Sequence, residues 1–203
     1  MTKEELIAFE KEIADIYCEG KIRAPIHLSD GNEEQLIEIF KNVKENDWVY
    51  STWRSHYHAL LKGIPRDEVK QKIINGESIT LMFPKYNFFS SAIVGGIIPI
   101  AMGTALGIKR SGSNQHVWCF VGDTSAETGA FNESLRYSEN FDLPITFVIE
   151  DNGFSVNTPT SVVWGLGEIA PQNTMPYSMG KKVIKYNYIK SMPHVGCGTY
   201  VTF

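Results

Sequence analysis

Cysteine is scarce in this chain: among 203 residues there are only Cys18, Cys119 and Cys197, no two of them at CxxC spacing. That scarcity argues against a zinc site and against a disulfide framework. Cys119 lies inside an apolar run and reads as a small core residue rather than a nucleophile. Dense runs of Lys and Arg are missing too. With a formal net charge of −4, the chain carries no electrostatic footprint for nucleic acid. Nor is any apolar run long enough for a membrane span. The longest, Ile93 to Ile108, is broken by Gly95, Gly96, Pro99, Gly103 and Gly107. The first residues, MTKEELIAFEKEI, place acidic side chains where a secretory leader would place an apolar core. The expectation is a cytoplasmic protein that binds neither nucleic acid nor membrane. Repeats, low-complexity tracts and linkers are also lacking, so residues 1–203 read as one domain.

What is present is an ordinary globular composition, 43% apolar and 21% charged, and a pattern that changes along the chain. The first third reads as helical, with a helical N-terminal extension over about residues 1–50. Thr2 and Glu5 form a capping box ahead of the stripe Leu6, Phe9, Ile13 and Ile16. A second amphipathic helix follows Asp30-Gly31-Asn32 and buries Leu36, Ile37, Ile39, Phe40 and Val43. Pro65 opens a third that ends near Asn75-Gly76. Next comes Ile97–Lys109, a helix of small and apolar residues suited to close packing. Two continuous apolar runs, His116–Val121 and Ile145–Ile149, have strand length and flank a helix over Glu127–Asn140. Apolar strands alternating with helices predict an α/β fold, doubly wound, with a mainly parallel sheet and helices on both faces. Beyond Asn157 the pattern fades. Only Gly180–Tyr188 looks regular within an irregular tail, about residues 158–203, that wraps the domain or a partner.

Both predicted strands end on polar residues: Gly122-Asp123 after the first, Glu150-Asp151-Asn152 after the second. Ligands of open parallel sheets bind beyond these carboxyl ends. Asp123 and Asn152 supply hard oxygen atoms of the kind Mg²⁺ prefers, and Mg²⁺ commonly retains phosphate oxygens as further ligands. The helix after Asp123 starts at the same edge, where free N–H groups favour an anion. The residues alone therefore point to a magnesium-diphosphate site and say nothing of thiamine.

The segment GDTSAETGAFNESLRYSENFDLPITFVIEDN resembles the thiamine diphosphate motif, and Leu143-Pro144, Ser155, Thr158 and Pro159 are similar to E1 alpha subunits of 2-oxo acid dehydrogenases. Upstream, Arg54, His56, His58, Leu60 and Gly63 match an R-x-H-x-H-x-L-x-x-G segment of those subunits. Ile93-Val94-Gly95 with Pro99 and Gly103 resembles their aminopyrimidine-binding loop. The resemblance implies thiamine diphosphate and Mg²⁺ as cofactors. Asp123, Asn152 and the Phe154 carbonyl would bind the metal. Trp53, Arg54 and the amides of Thr124 and Ser125, following Gly122, would face the diphosphate. The backbones of Ala92 and Val94 would hold the aminopyrimidine, and His56 would lie near the reacting thiazolium. It further implies a separate beta-type subunit that carries the pyrimidine-binding domain and the catalytic Glu, in an α₂β₂ assembly.

Two departures stand out. Thr124 replaces a motif Gly, which would be strained if that position needed a positive φ, and the part after Asn152 is shorter than in E1 alpha subunits. Three functions stay open: a 2-oxo acid decarboxylating dehydrogenase subunit, a split transketolase-like or carboligating enzyme acting on a sugar or aldehyde, and a non-catalytic partner subunit. Taken outside the resemblance, His58, His116 and His194 read as structural. Glu127 and Glu133 read as solvent or interface residues, and Glu150 and Asp151 as strand-edge solvation.

Overall fold

The computed structural model describes residues 1–165 and 172–202; parts of the expected tail, residues 166–171 and 203, lie outside the described residues. Among the described residues the strands are β1 (Trp48–Ser51), β2 (Met82–Phe83), β3 (Phe88–Ser90), β4 (Val117–Gly122), β5 (Ile145–Asp151), β6 (Phe154–Ser155), β7 (Thr158–Pro159), β8 (Tyr177–Ser178) and β9 (Val183–Asn187). The α-helices are α1 (Lys3–Cys18), α2 (Glu33–Phe40), α3 (His56–Leu61), α4 (Arg66–Lys72), α5 (Ile97–Ser111), α6 (Asp123–Ala126), α7 (Gly129–Asn140) and α8 (Thr160–Val163). Seven strands form one sheet in the order β2-β3-β1-β4-β5-β9-β8. The inner pairs β3–β1, β1–β4, β4–β5 and β5–β9 are parallel, and only the edge strands β2 and β8 run antiparallel.

Side chains alternate across this sheet, as strand geometry requires. Val49, Phe88, Trp118, Phe120, Val148 and Tyr186 point to one face, where Leu6, Phe9 and Ile13 of α1 and Leu36, Ile39 and Phe40 of α2 meet them. Tyr50, Val117, Cys119, Val121, Ile145, Phe147 and Ile149 point to the other, against Ile97, Ile98, Ala101, Ala105 and Ile108 of α5 and Phe131 of α7. Both faces are covered by helices, the doubly wound α/β arrangement expected from the apolar strands.

Local chemistry explains most boundaries. Thr2 Oγ1 accepts from the Glu5 N–H at 3.3 Å, and Glu5 Oε2 accepts from the Thr2 N–H at 2.7 Å. That capping box contributes about 1 kcal/mol to α1. Helix α5 stops at Gly112, whose φ of 71° supplies the left-handed cap. Helix α4 begins just after Pro65 and runs into a wider π turn, Ile73–Glu77, broken inside at Gly76 with φ 87°.

Three differences from the sequence reading matter. The first third is not wholly helical: Trp48–Ser51 is a central strand, and α1 and α2 lie directly on the sheet face. The helix expected over Glu127–Asn140 is α7, Gly129–Asn140: it starts two residues later because Thr128 caps it by accepting from the Phe131 N–H, and the separate short helix α6 precedes it. And the regular stretch near Gly180–Tyr188 is β9, a full parallel member of the sheet.

Candidate metal-diphosphate site

Because the five inner strands run in one direction, all their carboxyl ends open on one edge. The segments leaving that edge converge on a single cleft. After β1 come Thr52, Trp53 and Arg54. After β3 comes Val94, and after β4 come Asp123, Thr124 and Ser125. Past β5 lie Asn152 and Phe154, and past β9 lie Tyr188, Lys190 and His194. Of the residues singled out in the sequence, Trp53, Arg54, Val94, Gly122, Asp123, Thr124, Ser125, Asn152 and Phe154 all line it.

Two predicted residues do not. Ala92 sits on the same turn as Val94 but is not among the lining residues. His56, expected near the reacting centre, is fully buried at the start of α3 and is not among the residues that line the cleft. Its Nδ1 meets Glu10 Oε1 at 2.9 Å, and its Nε2 meets Ser78 Oγ at 2.8 Å. Both ring nitrogens are used in tying α3 to α1 and to residue 78, so the ring has nothing left to offer the cleft.

The acidic side of the cleft is built by a sharp turn at each strand end. Asp123 is the first residue of α6, and its Oδ1 accepts from the Thr124 N–H at 2.8 Å. Its Oδ2 is buried and has no hydrogen-bond partner. Burial, together with the neighbouring Asp151 carboxylate, pushes Asp123 up to about 7. Burial acts on Asp151 in the same sense, but Lys185 Nζ at 2.7 Å and the Gly153 N–H hold its carboxyl below the ordinary value. Gly153, at φ 73°, turns the chain so that Asn152 Oδ1 accepts from the Phe154 N–H at 2.9 Å; Asn152 Nδ2 donates to Tyr188 at 3.1 Å. Thr124 has no positive φ, so replacing the motif Gly brings no backbone strain at that position. The helix-terminus contribution is smaller than expected: α6 has four residues, and Asp123 itself takes the Thr124 N–H.

The basic side carries the opposite problem. Arg54 is only 9% exposed. Its guanidinium donates to the carbonyls of Leu28 and, at 3.3 Å, His194, and no carboxylate pairs with it among the described residues. Neighbouring bases are depressed in consequence. Burial, then the Arg54 charge, lowers Lys190 and His194, and takes His27 down to about 4. His27 and His194 stand edge to face at 4.6 Å, with the Trp53 ring 5.9 Å from His27.

Sequence reasoning missed Tyr188, Lys190 and His194. It had treated His194 as structural, yet His194 lines the cleft. The available signal was the same one that found Asp123 and Asn152: polar residues just past a strand end. Glu150 is not solvated strand edge either. It is buried, and accepts from Tyr186 at 2.5 Å and Asn32 at 3.3 Å. His116 remains structural, bonded to Thr146 at 2.9 Å and set against Trp118.

Several known proteins are similar to this chain in sequence. The alpha subunit of the pyruvate dehydrogenase E1 component from Porphyra purpurea is 31% identical over 165 residues, covering 73% of this chain and 48% of that protein. The alpha subunit of acetoin:2,6-dichlorophenolindophenol oxidoreductase from Bacillus subtilis is 28% identical over 165 residues, covering 76% and 50%. Its counterpart from Cupriavidus necator is 29% identical over 160 residues, covering 74% and 49%. The chain thus spans about half the length of the curated relatives it matches. Residues 1–165 match the family described as dehydrogenase E1 component, and the chain belongs to that family.

Proposed function

We propose that this chain is the magnesium- and diphosphate-holding part of a thiamine diphosphate-dependent enzyme of E1 alpha type, acting on a 2-oxo acid together with a separate pyrimidine-binding subunit. One observation carries the reading. A carboxylate with an unpartnered buried oxygen, Asp123 Oδ2, shares a cleft with a buried guanidinium, Arg54, that has no counter-ion among the described residues. Each is costly alone. A divalent cation bonded to a diphosphate relieves both at once.

The donor set fits that group. Asp123 Oδ2, Asn152 Oδ1 and the Phe154 carbonyl are hard oxygen atoms on two adjacent strand ends, matching the preference of Mg²⁺. Arg54, supported by Trp53, would hold diphosphate oxygens through charge-assisted hydrogen bonds, with Ser125 and Thr124 at the floor beside Gly122. The anion would offset the Arg54 charge at Lys190 and His194 and shift both back towards their ordinary values. The Val94 turn, with Ala92, would present backbone groups to the aminopyrimidine. When bound, thiamine diphosphate supplies the carbanion-stabilising centre for decarboxylation. The partner, a beta-type subunit in an α₂β₂ assembly, would supply the Glu that works on the aminopyrimidine.

Relatives named for pyruvate and for acetoin leave a second reading for the substrate: cleavage or joining of a ketol rather than dehydrogenation of a 2-oxo acid. Among the described residues no helix is long and apolar enough to cross a membrane.

The test is calorimetric titration of thiamine diphosphate into the purified chain, alone and with its co-expressed partner, in Mg²⁺ or in EDTA. Magnesium-dependent binding that Asp123→Ala abolishes is the expected result. No binding by the wild type in any preparation would overturn the proposal and leave a non-catalytic subunit. Assay of the complex with pyruvate and an artificial electron acceptor, against pyruvate and an aldehyde, separates the two substrate readings.

A further inference from the structure

Cys18 and Cys197 are far apart in sequence but meet at the surface. Cys18 closes α1, and Cys197 lies in the last segment of the chain. Both thiols reach one hydroxyl: Thr199 Oγ1 is 3.5 Å from Cys18 Sγ and 3.1 Å from Cys197 Sγ.

The backbone around them is already docked. The Gly196 N–H donates to Ile26 at 2.9 Å, and His27 and Gly196 form a parallel bridge. The open face of Gly196 looks onto the Tyr17 ring. Gly196 and Gly198, at φ 76° and 84°, flank Cys197 with residues free to adjust. This same segment carries Lys190 and His194 to the cleft, and the His194 carbonyl accepts from Arg54. Asp30 Oδ2 anchors its near end by accepting from Ser191 and Met192.

We propose that Cys18 and Cys197 form an oxidisable dithiol site, whose disulfide fastens the Lys190–Cys197 segment to the end of α1 and so fixes Lys190 and His194 at the cleft. The reaction is thiol–disulfide exchange with a small-molecule disulfide. Cys197 Sγ, as thiolate, attacks one sulfur of the disulfide and releases one thiolate. Cys18 Sγ then attacks Cys197 Sγ and releases the second. The S–S bond of the reagent breaks, the Cys18–Cys197 bond forms, and the two protein protons end on the two released thiols.

The division of labour follows from the surroundings. Burial alone would raise Cys197, but the neighbouring Cys18 thiol and hydrogen bonds from Thr199 and backbone groups hold it below the ordinary thiol value. Cys18 is raised, chiefly by the neighbouring Cys197 thiol. Cys119 provides the internal contrast, since it is buried and pushed above the range in which a thiol reacts at neutral pH. The site does not depend on the cofactor reading.

The experiment equilibrates the purified, reduced chain with glutathione and its disulfide at graded ratios, then blocks free thiols with a maleimide. Expected is a monomer lighter by two hydrogens, a cross-linked peptide containing Cys18 and Cys197, and Cys119 still free after denaturation. Cys18→Ser should instead accumulate a glutathione adduct on Cys197. Tryptic cleavage after Lys190 in the native chain should slow several-fold on oxidation. Glutathione adducts alone, or disulfide-linked dimers, in the wild type would overturn the dithiol site. An unchanged rate of cleavage after Lys190 would overturn its role as a fastening.

Discussion

Replacing Asp123 with Asn should make the ligand-free chain more stable while abolishing its stabilisation by magnesium and thiamine diphosphate. The wild-type carboxylate is held where its Oδ2 has no partner and where Asp151 stands beside it, so its pKa rises from 3.8 to about 7. A folded-state pKa above the unfolded one means that the native protein binds the proton more tightly. Stability is then fully present below pH 3.8 and lost as pH rises through 7. The full shift corresponds to about 4 kcal/mol at alkaline pH, and halving it for the coupled response of Asp151 and partial solvation leaves about 2 kcal/mol. An Asn keeps the oxygen that accepts from Thr124 and can donate its amide to Asp151. For a chain of this length about 2 kcal/mol moves the Tm by about 4–8 °C. The assay is thermal unfolding of both proteins in EDTA from pH 4 to 8, then at pH 8 with Mg²⁺ and the cofactor. The Tm difference between variant and wild type should grow with pH and reverse sign when ligands are added. A variant equal to or below the wild type in EDTA at pH 8 would refute the reasoning.

Three further outcomes follow from other parts of the structure. Asp47 is buried and accepts from the Lys44 N–H at 3.0 Å, the His116 N–H at 2.9 Å and Trp118 Nε1 at 3.2 Å, so Asp47→Ala should cost about 3–4 kcal/mol in urea unfolding, and Asp47→Asn distinctly less. Burial and the Arg54 charge take His27 down to about 4, so its contribution runs opposite to that of Asp123: stability is present above pH 6.5 and falls by about 2–3 kcal/mol as pH drops towards 4, and His27→Gln should flatten that acid limb of a stability profile. Arg54→Met should leave the Tm of the ligand-free chain unchanged or higher, because it removes a buried charge without a carboxylate partner among the described residues, yet weaken binding of inorganic pyrophosphate with Mg²⁺ at least tenfold (about 1.4 kcal/mol) by calorimetry.

The central architecture was legible in the sequence because β4 and β5 are buried on both faces, and only a continuous apolar run satisfies two cores at once. Their polar ends exposed Asp123 and Asn152 for the same reason. Trp48–Ser51 escaped notice because four residues after a polar stretch carry too short a period to register. β9 registered only as a regular stretch and not as a strand of the sheet, because VIKYN mixes a Lys and an Asn into an outer position. Losing β9 meant losing Tyr188, Lys190 and His194, whose place depends entirely on where that strand ends. His56 shows the opposite failure. A histidine between Arg54 and His58 invites a chemical role, but the helix turn carries its ring into the core, where Glu10 and Ser78 occupy it. Thr124 would be strained only at a positive φ, and the short first turn of α6 does not require one.

The order of the sheet has a consequence for how such a protein can change. From β1 the chain reaches β3 on one side, whereas β4, β5 and β9 extend on the other, so the cleft lies over the boundary where the connections part. Each strand end contributes its own short segment, and apart from Tyr188 the residues lining the cleft lie outside the two packed cores. Chemistry and architecture are therefore separable by residue. A substitution at Val94, Phe154 or Lys190 can re-shape what the cleft accepts while the two cores go on folding the same scaffold, which leaves selection, natural or in the laboratory, five strand ends at which to work.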